Sequence, residues 1–196
     1  THQALEDIAL MRVQPNMAVL VPCDAVEARK ATLAAAFCDS PAYIRFGREK
    51  SPIFTTEKTP FEIGKAIVLR EGKDVTIVGC GILLYNVLVA AEELSKEGIN
   101  VEVINSHTIK PLDAETILNS VKKTNAVVSV EEHQIMGGLG SAVAETLSQH
   151  FPAPQEFIGV RDRFGESGEP DELIEAFGMG VKDIKAAALK VIKRKS

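Results

Sequence analysis

An α/β protein is what this sequence predicts, on three observations. Short apolar runs rich in Val and Ile recur along the chain, amphipathic segments of helical period lie between them, and Gly, Pro or a capping Asp marks most joins. Strands alternating with helices in this way require a mostly parallel sheet covered by helices.

Each element follows from local chemistry. Residues 17–21 form a strand-length apolar run ending at Pro22, and Asp24 is placed to cap a helix over 25–37. Ser40 and Pro41 turn the chain into a second strand over 42–46, so this stretch reads as a βαβ unit too small to stand alone. Between 49 and 65 the sequence becomes polar, with Pro52 and Pro60 and little periodicity, the marks of an exposed connector. The expected division is therefore 1–60 and 61–196.

Beyond the connector, 66–69 and 75–78 read as strands joined through Arg70, Glu71, Gly72, Lys73 and Asp74 in a hairpin. A helix over 84–97 places Leu84, Val87, Leu88, Ala91 and Leu94 on one face, and Gly98 ends it. A strand at 101–104, a helix capped by Asp113 and running to Lys123, a strand at 126–130, a helix at 140–149 and a strand at 157–160 follow. A loop then leads to Pro170, a short helix near 171–176 and a terminal helix over 181–193. The expected architecture is a three-layer C-terminal domain around a mostly parallel mixed sheet of about five strands, preceded by the βαβ unit.

Composition narrows the function. A net charge of −5 and a pI near 5.5 give no broad basic surface, which argues against nucleic acid as the main partner. Cys23, Cys38 and Cys80 are odd in number, widely spaced and set among apolar residues, which suits reduced core thiols better than disulfides or zinc. The longest apolar runs, such as 82–91, are too short to span a bilayer. The opening Thr1, His2, Gln3 has neither an initiator Met nor a secretory pattern, so the expectation is a cytoplasmic protein whose chain has been cut.

Several motifs bear on chemistry. Gly79, Cys80 and Gly81 between a strand and a helix resemble half of a dinucleotide fingerprint, but Leu84 stands where the third glycine would fall. A tight strand-to-helix turn explains them as well. Gly137, Gly138 and Gly140 could offer backbone amides to an anion or allow a close helix crossing. Glu131, Glu132 and His133 lie at the C-terminal end of a strand, where open sheets gather ligands. Adjacent strand side chains diverge, however, which favours a capping or interface role for the two glutamates. His107 and His150 stand apart from other ligand-type residues. Arg45 and Arg48, flanking Phe46 and Gly47, could hold a phosphate by forked hydrogen bonds or simply be paired or solvated. The stretch 161–170 combines alternating charges with Phe164, Gly165 and Gly168, and by itself reads as a charge-paired loop.

Taken in order, THQALEDIALMRVQPNM, VPCDAVEARKA, PAYIRFGRE, VTIVGCGILL, INSHTIKPLD, EEHQIMGGLGSAVAE and DRFGESGEPDEL resemble the C-terminal section of transketolases, across nearly the whole chain. Several segments are also similar to deoxyxylulose-phosphate synthase and to beta subunits of 2-oxo-acid dehydrogenases. Arg163 to Gly168 and the opening Thr1, His2, Gln3 favour transketolase. The resemblance implies that 1–60 is the end of a module binding the aminopyrimidine of thiamine diphosphate and that 61–196 is the C-terminal domain. It implies a cytoplasmic transferase of the pentose phosphate type that moves two-carbon ketol units between sugar phosphates. It carries a catalytic role to His2, which meets the cofactor-bound intermediate, and substrate-phosphate binding to Arg48 and, less directly, to Arg45.

The family's activating glutamate lies upstream of the Thr-His-Gln motif, and no segment here matches the one that carries Mg²⁺ and the diphosphate. The resemblance therefore implies thiamine diphosphate and Mg²⁺ in the complete enzyme, with no cofactor or metal site in this chain and no activity alone. The implied partners are an N-terminal section or subunit and a second copy, in a homodimer through the C-terminal domain. A dimerisation or regulatory module that has kept the fold is the non-enzymatic alternative.

Overall fold

The structure, a computed structural model, describes residues 4–47 and 50–195. Strand β1 (Ala18–Leu20) leads through helix α2 (Ala25–Ala36) to β2 (Ala42–Ile44), which pairs parallel to it, so the expected βαβ unit forms. Asp24 caps α2 by accepting the Glu27 N–H at 2.9 Å. Before β1 lies a short helix, α1 (Asp7–Arg12), that hydrophobic period does not announce because it is six residues long.

The second sheet contains β3 (Ile67–Arg70), β4 (Val75–Gly79), β5 (Val101–Asn105), β7 (Val127–Gln134) and β8 (Gln155–Val160) in the order β3-β5-β4-β7-β8. Only the β3–β5 pairing is antiparallel. β4 and β5 are buried along their whole length, which is why they read as continuous apolar runs. Helices α3 (Leu84–Lys96) and α7 (Val181–Ile192) cover one face, packing Leu84, Val87, Ile184 and Val191 against Ile77 and Val103. On the other face lie α4 (Ala114–Thr124) and α5 (Leu139–His150), with Ile117, Val121, Leu139 and Val143 against Val78 and Ile104. The result is the three-layer mixed sheet that the sequence leads one to expect.

The hairpin between β3 and β4 does not form, because β5 lies between them. Instead of turning tightly, residues 71–74 cross the start of β5: the Lys73 and Asp74 N–H groups both donate to the Asn100 carbonyl. Gly72 meets the Val101–Glu102 backbone so closely that any Cβ would collide with it. The short strand β6 (Thr108–Lys110) also escapes sequence reading, and it leaves the large sheet to pair antiparallel with β1, giving a three-stranded sheet β2-β1-β6. Ile8, Val19 and Val21 share one core with Ile104, Ile117 and Leu139, so the N-terminal segment sits on the α4–α5 side of the large sheet. Each such buried side chain contributes about 1.5–3 kcal/mol. The last helix to place is α6 (Pro170–Ala176), which follows the long loop after β8.

Candidate active-site edge

The C-terminal ends of β2, β4 and β7 converge on a cleft of about 420 Å³ whose walls include Leu5, Arg45, Ile82, Glu132, Val160 and Phe177. Arg45 follows β2 directly, and its side chain lies between two carboxylates from different parts of the chain. Its Nη1 donates to Glu132 Oε2 at 3.0 Å, its Nε lies 3.5 Å from Asp7 Oδ2, and its Nη2 donates to the Ala4 carbonyl at 3.3 Å. Burial works against the guanidinium's charge, but Glu132 and Asp7 outweigh it and hold the pKa above its ordinary value. The Tyr43 hydroxyl donates to Asp7 Oδ2 at 2.8 Å, and burial together with that carboxylate pushes the phenol up to about 12. The other two residues singled out from the sequence, His2 and Arg48, lie outside the described residues.

Glu131 and Glu132 do diverge. The Glu131 carboxylate is buried and accepts the Leu139 N–H at 2.7 Å and the Gly140 N–H at 2.8 Å, so it caps α5 from the neighbouring strand. Burial raises its pKa against the pull of those amides. The Gly137–Gly140 turn is thus explained by close packing: a Cβ on Gly140 would lie 2.6 Å from Phe157 and 2.7 Å from Ser129 Oγ. His133 is buried as well; its Nε2 accepts the Ala9 N–H at 3.2 Å, leaving Nδ1 to donate to the Gln134 carbonyl at 2.6 Å. His107 is fully buried too, stacked on Phe61 at 4.3 Å, with Nδ1 3.5 Å from Glu27 Oε1. His150 is in the exposed last turn of α5.

The loop at 161–169 borders the same cleft. Gln134 holds its base, donating to the Arg163 carbonyl at 2.7 Å and accepting the Asp162 N–H at 3.0 Å. Arg163 lies 4.7 Å over the Phe177 ring and also pairs with Glu166, so the charge-paired reading holds there. Phe164 is almost wholly exposed.

Thiamine diphosphate and its metal, which the sequence resemblance implies, can be tested against these groups. Among the described residues no cluster of three His, Cys, Asp or Glu side chains could hold a metal ion. The Gly81 N–H donates to the Val21 carbonyl at 3.1 Å, and the α5 amides are taken by Glu131. These amides are therefore already taken by the chain's own acceptors.

Asp7 is the member of this site that sequence reasoning missed; that reasoning points to Glu132 as a capping or interface residue but does not give Arg45 as its partner. Glu132 and Arg45 are 87 residues apart, a separation at which no periodicity or spacing signal exists.

Comparison with known proteins accords with this geometry. Residues 64–184 match the family model "Transketolase, C-terminal domain" and residues 1–52 match "Transketolase, pyrimidine binding domain". Among curated proteins, the chain is 46% identical over all its length to a 6-deoxy-6-sulfo-D-fructose transketolase subunit of a Clostridium species, covering 61% of that protein. It is 38% identical over 99% of its length to a putative transketolase C-terminal section of Methanocaldococcus jannaschii, again covering 61% of it. A solved structure described as a split gene transketolase, inactive beta4 tetramer, superposes with a TM-score of 0.96 at 47% identity, over 100% of this chain and 64% of that one. The chain thus spans just over three-fifths of the length of these relatives. By its sequence, its sheet order and these matches, the chain belongs to the transketolase family.

Proposed function

We propose that this chain is the C-terminal section of a thiamine-diphosphate-dependent transketolase, which moves a two-carbon ketol unit from a ketose to an aldose. The observation that carries the reading is full-length similarity to proteins named as subunits of transketolases, joined to a family match that runs from the pyrimidine binding domain into the C-terminal domain. On this reading an N-terminal section or subunit brings the diphosphate and Mg²⁺ groups, the division within this chain falls near residue 60, and the chain alone is inactive. A relative described as an inactive tetramer of one subunit supports that last point and self-association.

Sugar choice is read as a class. Relatives are named for a sulfo-fructose and for apulose-4-phosphate, substrates that share an anionic terminus. Arg48 is proposed to bind that terminus with a forked pair of donors, Arg45 to stand beside it, and His2 to contact the reacting sugar oxygens. When bound, thiamine diphosphate supplies the carbanion chemistry.

The test is reconstitution. The chain mixed with its N-terminal section, thiamine diphosphate and Mg²⁺ is expected to transfer a ketol unit from xylulose phosphate to an aldose phosphate. Condensation of pyruvate with glyceraldehyde phosphate in its place would mean a synthase. Calorimetric titration of the chain alone with thiamine diphosphate and Mg²⁺ is expected to give no micromolar binding.

A further inference from the structure

The Arg45 cluster joins three stretches of chain that no local motif connects. Ala4, whose carbonyl accepts from Arg45, stands two residues after His2 in sequence, and Arg45 itself stands three before Arg48. Asp7 comes from α1, Arg45 from the end of β2, and Glu132 from β7 of the large sheet. A direct anion-binding role fits Arg45 poorly. Its three nitrogens already face two carboxylates and a carbonyl, so an incoming phosphate would meet two negative groups beside the one positive one. Glu132 is the member with the least local reason to be there. Its chain neighbour Glu131 is needed to cap α5, whereas Glu132 makes its ion pair across to the N-terminal segment, at the wall of the cleft.

We propose that Glu132 is a positioning residue: through Arg45 it fixes the segment leading into Arg48 and the backbone at Ala4, so that the large-sheet domain shapes the substrate-anion site without touching substrate. The words substrate and anion rest on the transketolase reading; the latch itself does not. An ion pair of this kind, partly buried on both sides, is strong enough to hold a strand end and weak enough to be lost without unfolding the sheet.

Two measurements test it. In the complete enzyme, Glu132→Gln keeps the side-chain volume and removes the charge. It is expected to raise KM for the sugar phosphate about tenfold, with kcat within about threefold of the parent, and Glu132→Asp should recover part of the loss. In the same assembly, hydrogen exchange should quicken in Glu132→Gln at residues 42–47 while β4 and β5 keep their protection. Unchanged exchange at 42–47 overturns the proposal. So does faster exchange throughout, or a fall in kcat with KM unchanged, because either would make Glu132 a general structural residue. If the parent enzyme transfers no ketol unit, the transketolase reading fails by itself, and the exchange measurement still decides the latch.

Discussion

Glu131 and Glu132 are neighbours on β7 and send their carboxylates to opposite duties, one to the Leu139 and Gly140 amides of α5 and the other to the guanidinium of Arg45. Period-two geometry forces this divergence. It turns one dipeptide into a helix cap on one face and an inter-sheet tie on the other. Glu131→Ala leaves two helix-start amides without an acceptor inside a packed core, and a loss of about 2–4 kcal/mol is expected. Glu132→Ala, with its side chain partly in water and Asp7 still beside Arg45, should cost no more than about 1 kcal/mol. Urea unfolding of the two variants checks the order; equal losses would show that the cap is not what Glu131 contributes.

Gly140 is a point where α5 packs tightly on the sheet. An added methyl would press on the Phe157 ring edge and on Ser129 Oγ, both held by β-strands that cannot retreat without moving the ladder. Gly140→Ala is therefore expected to destabilise by about 1–3 kcal/mol, despite alanine's better helix propensity. A midpoint at or above the parent's would show that the helix can slide away.

Stability in acid should depend on Asp24. Its carboxylate accepts from the Glu27, Phe54 and Thr55 amides and from the Thr55 hydroxyl at 2.7–3.0 Å. Burial works against the charge, but these four donors outweigh it and hold the pKa below the ordinary 3.8. A group depressed on folding contributes stability that is fully present above its unfolded value and is lost as pH falls through the folded one. The parent should accordingly lose stability as pH drops below about 4, and Asp24→Asn should show a shallower loss over the same range. Parallel curves for the two proteins would remove Asp24 from the account.

Much of this fold is legible in the sequence because its signals are local. Asp24 and Asp113 announce their helices by capping chemistry, and the α3 stripe of Leu84, Val87, Ala91 and Leu94 shows a core face by period. What stays hidden depends on distant partners. The position of β5 between β3 and β4, the escape of β6 to β1, and the Arg45–Glu132 pair are choices of neighbour, and nothing within a window of residues records them. The same holds for His107, isolated in sequence yet packed against Phe61 and Glu27. Of the site itself, Arg45 is marked by its flanking glycine and arginine and Glu132 by its place beside Glu131 and His133 at the end of a strand, while Asp7 carries no mark beyond its charge.

Dinucleotide binding at Gly79 to Gly81, which the Leu84 in place of a third glycine already argues against, finds no support in the geometry either. A phosphate cradle needs free amides at the start of the helix that follows. Here the Cys80 N–H donates to the Val130 carbonyl at 3.2 Å and the Gly81 N–H to Val21. Fluorescence titration with NADH should show no saturable binding, and a micromolar dissociation constant would mean that the N-terminal segment can lift away from this turn.

The tie between the two sheets also runs through Glu27. Its Oε2 accepts the Cys23 N–H at 2.8 Å and its Oε1 accepts Asn105 Nδ2 at 2.6 Å, with His107 Nδ1 on the same oxygen's side at 3.5 Å. The donor and the carboxylate come from opposite sides of the junction: Cys23 and Glu27 from the N-terminal segment, Asn105 and His107 from the end of β5 and the turn after it. Truncation to alanine would leave a buried amide and a buried carboxamide without acceptors and open a void between the sheets. Glu27→Ala should therefore cost about 3–5 kcal/mol, more than removal of any exposed ion pair such as Arg29 with Glu57. Glu27→Gln keeps the volume but has one acceptor oxygen for two donors and turns its NH2 group towards the Cys23 N–H or the Asn105 amide, so it should recover only part of that loss; a Gln variant as stable as the parent would show that one of the two hydrogen bonds contributes nothing to the junction.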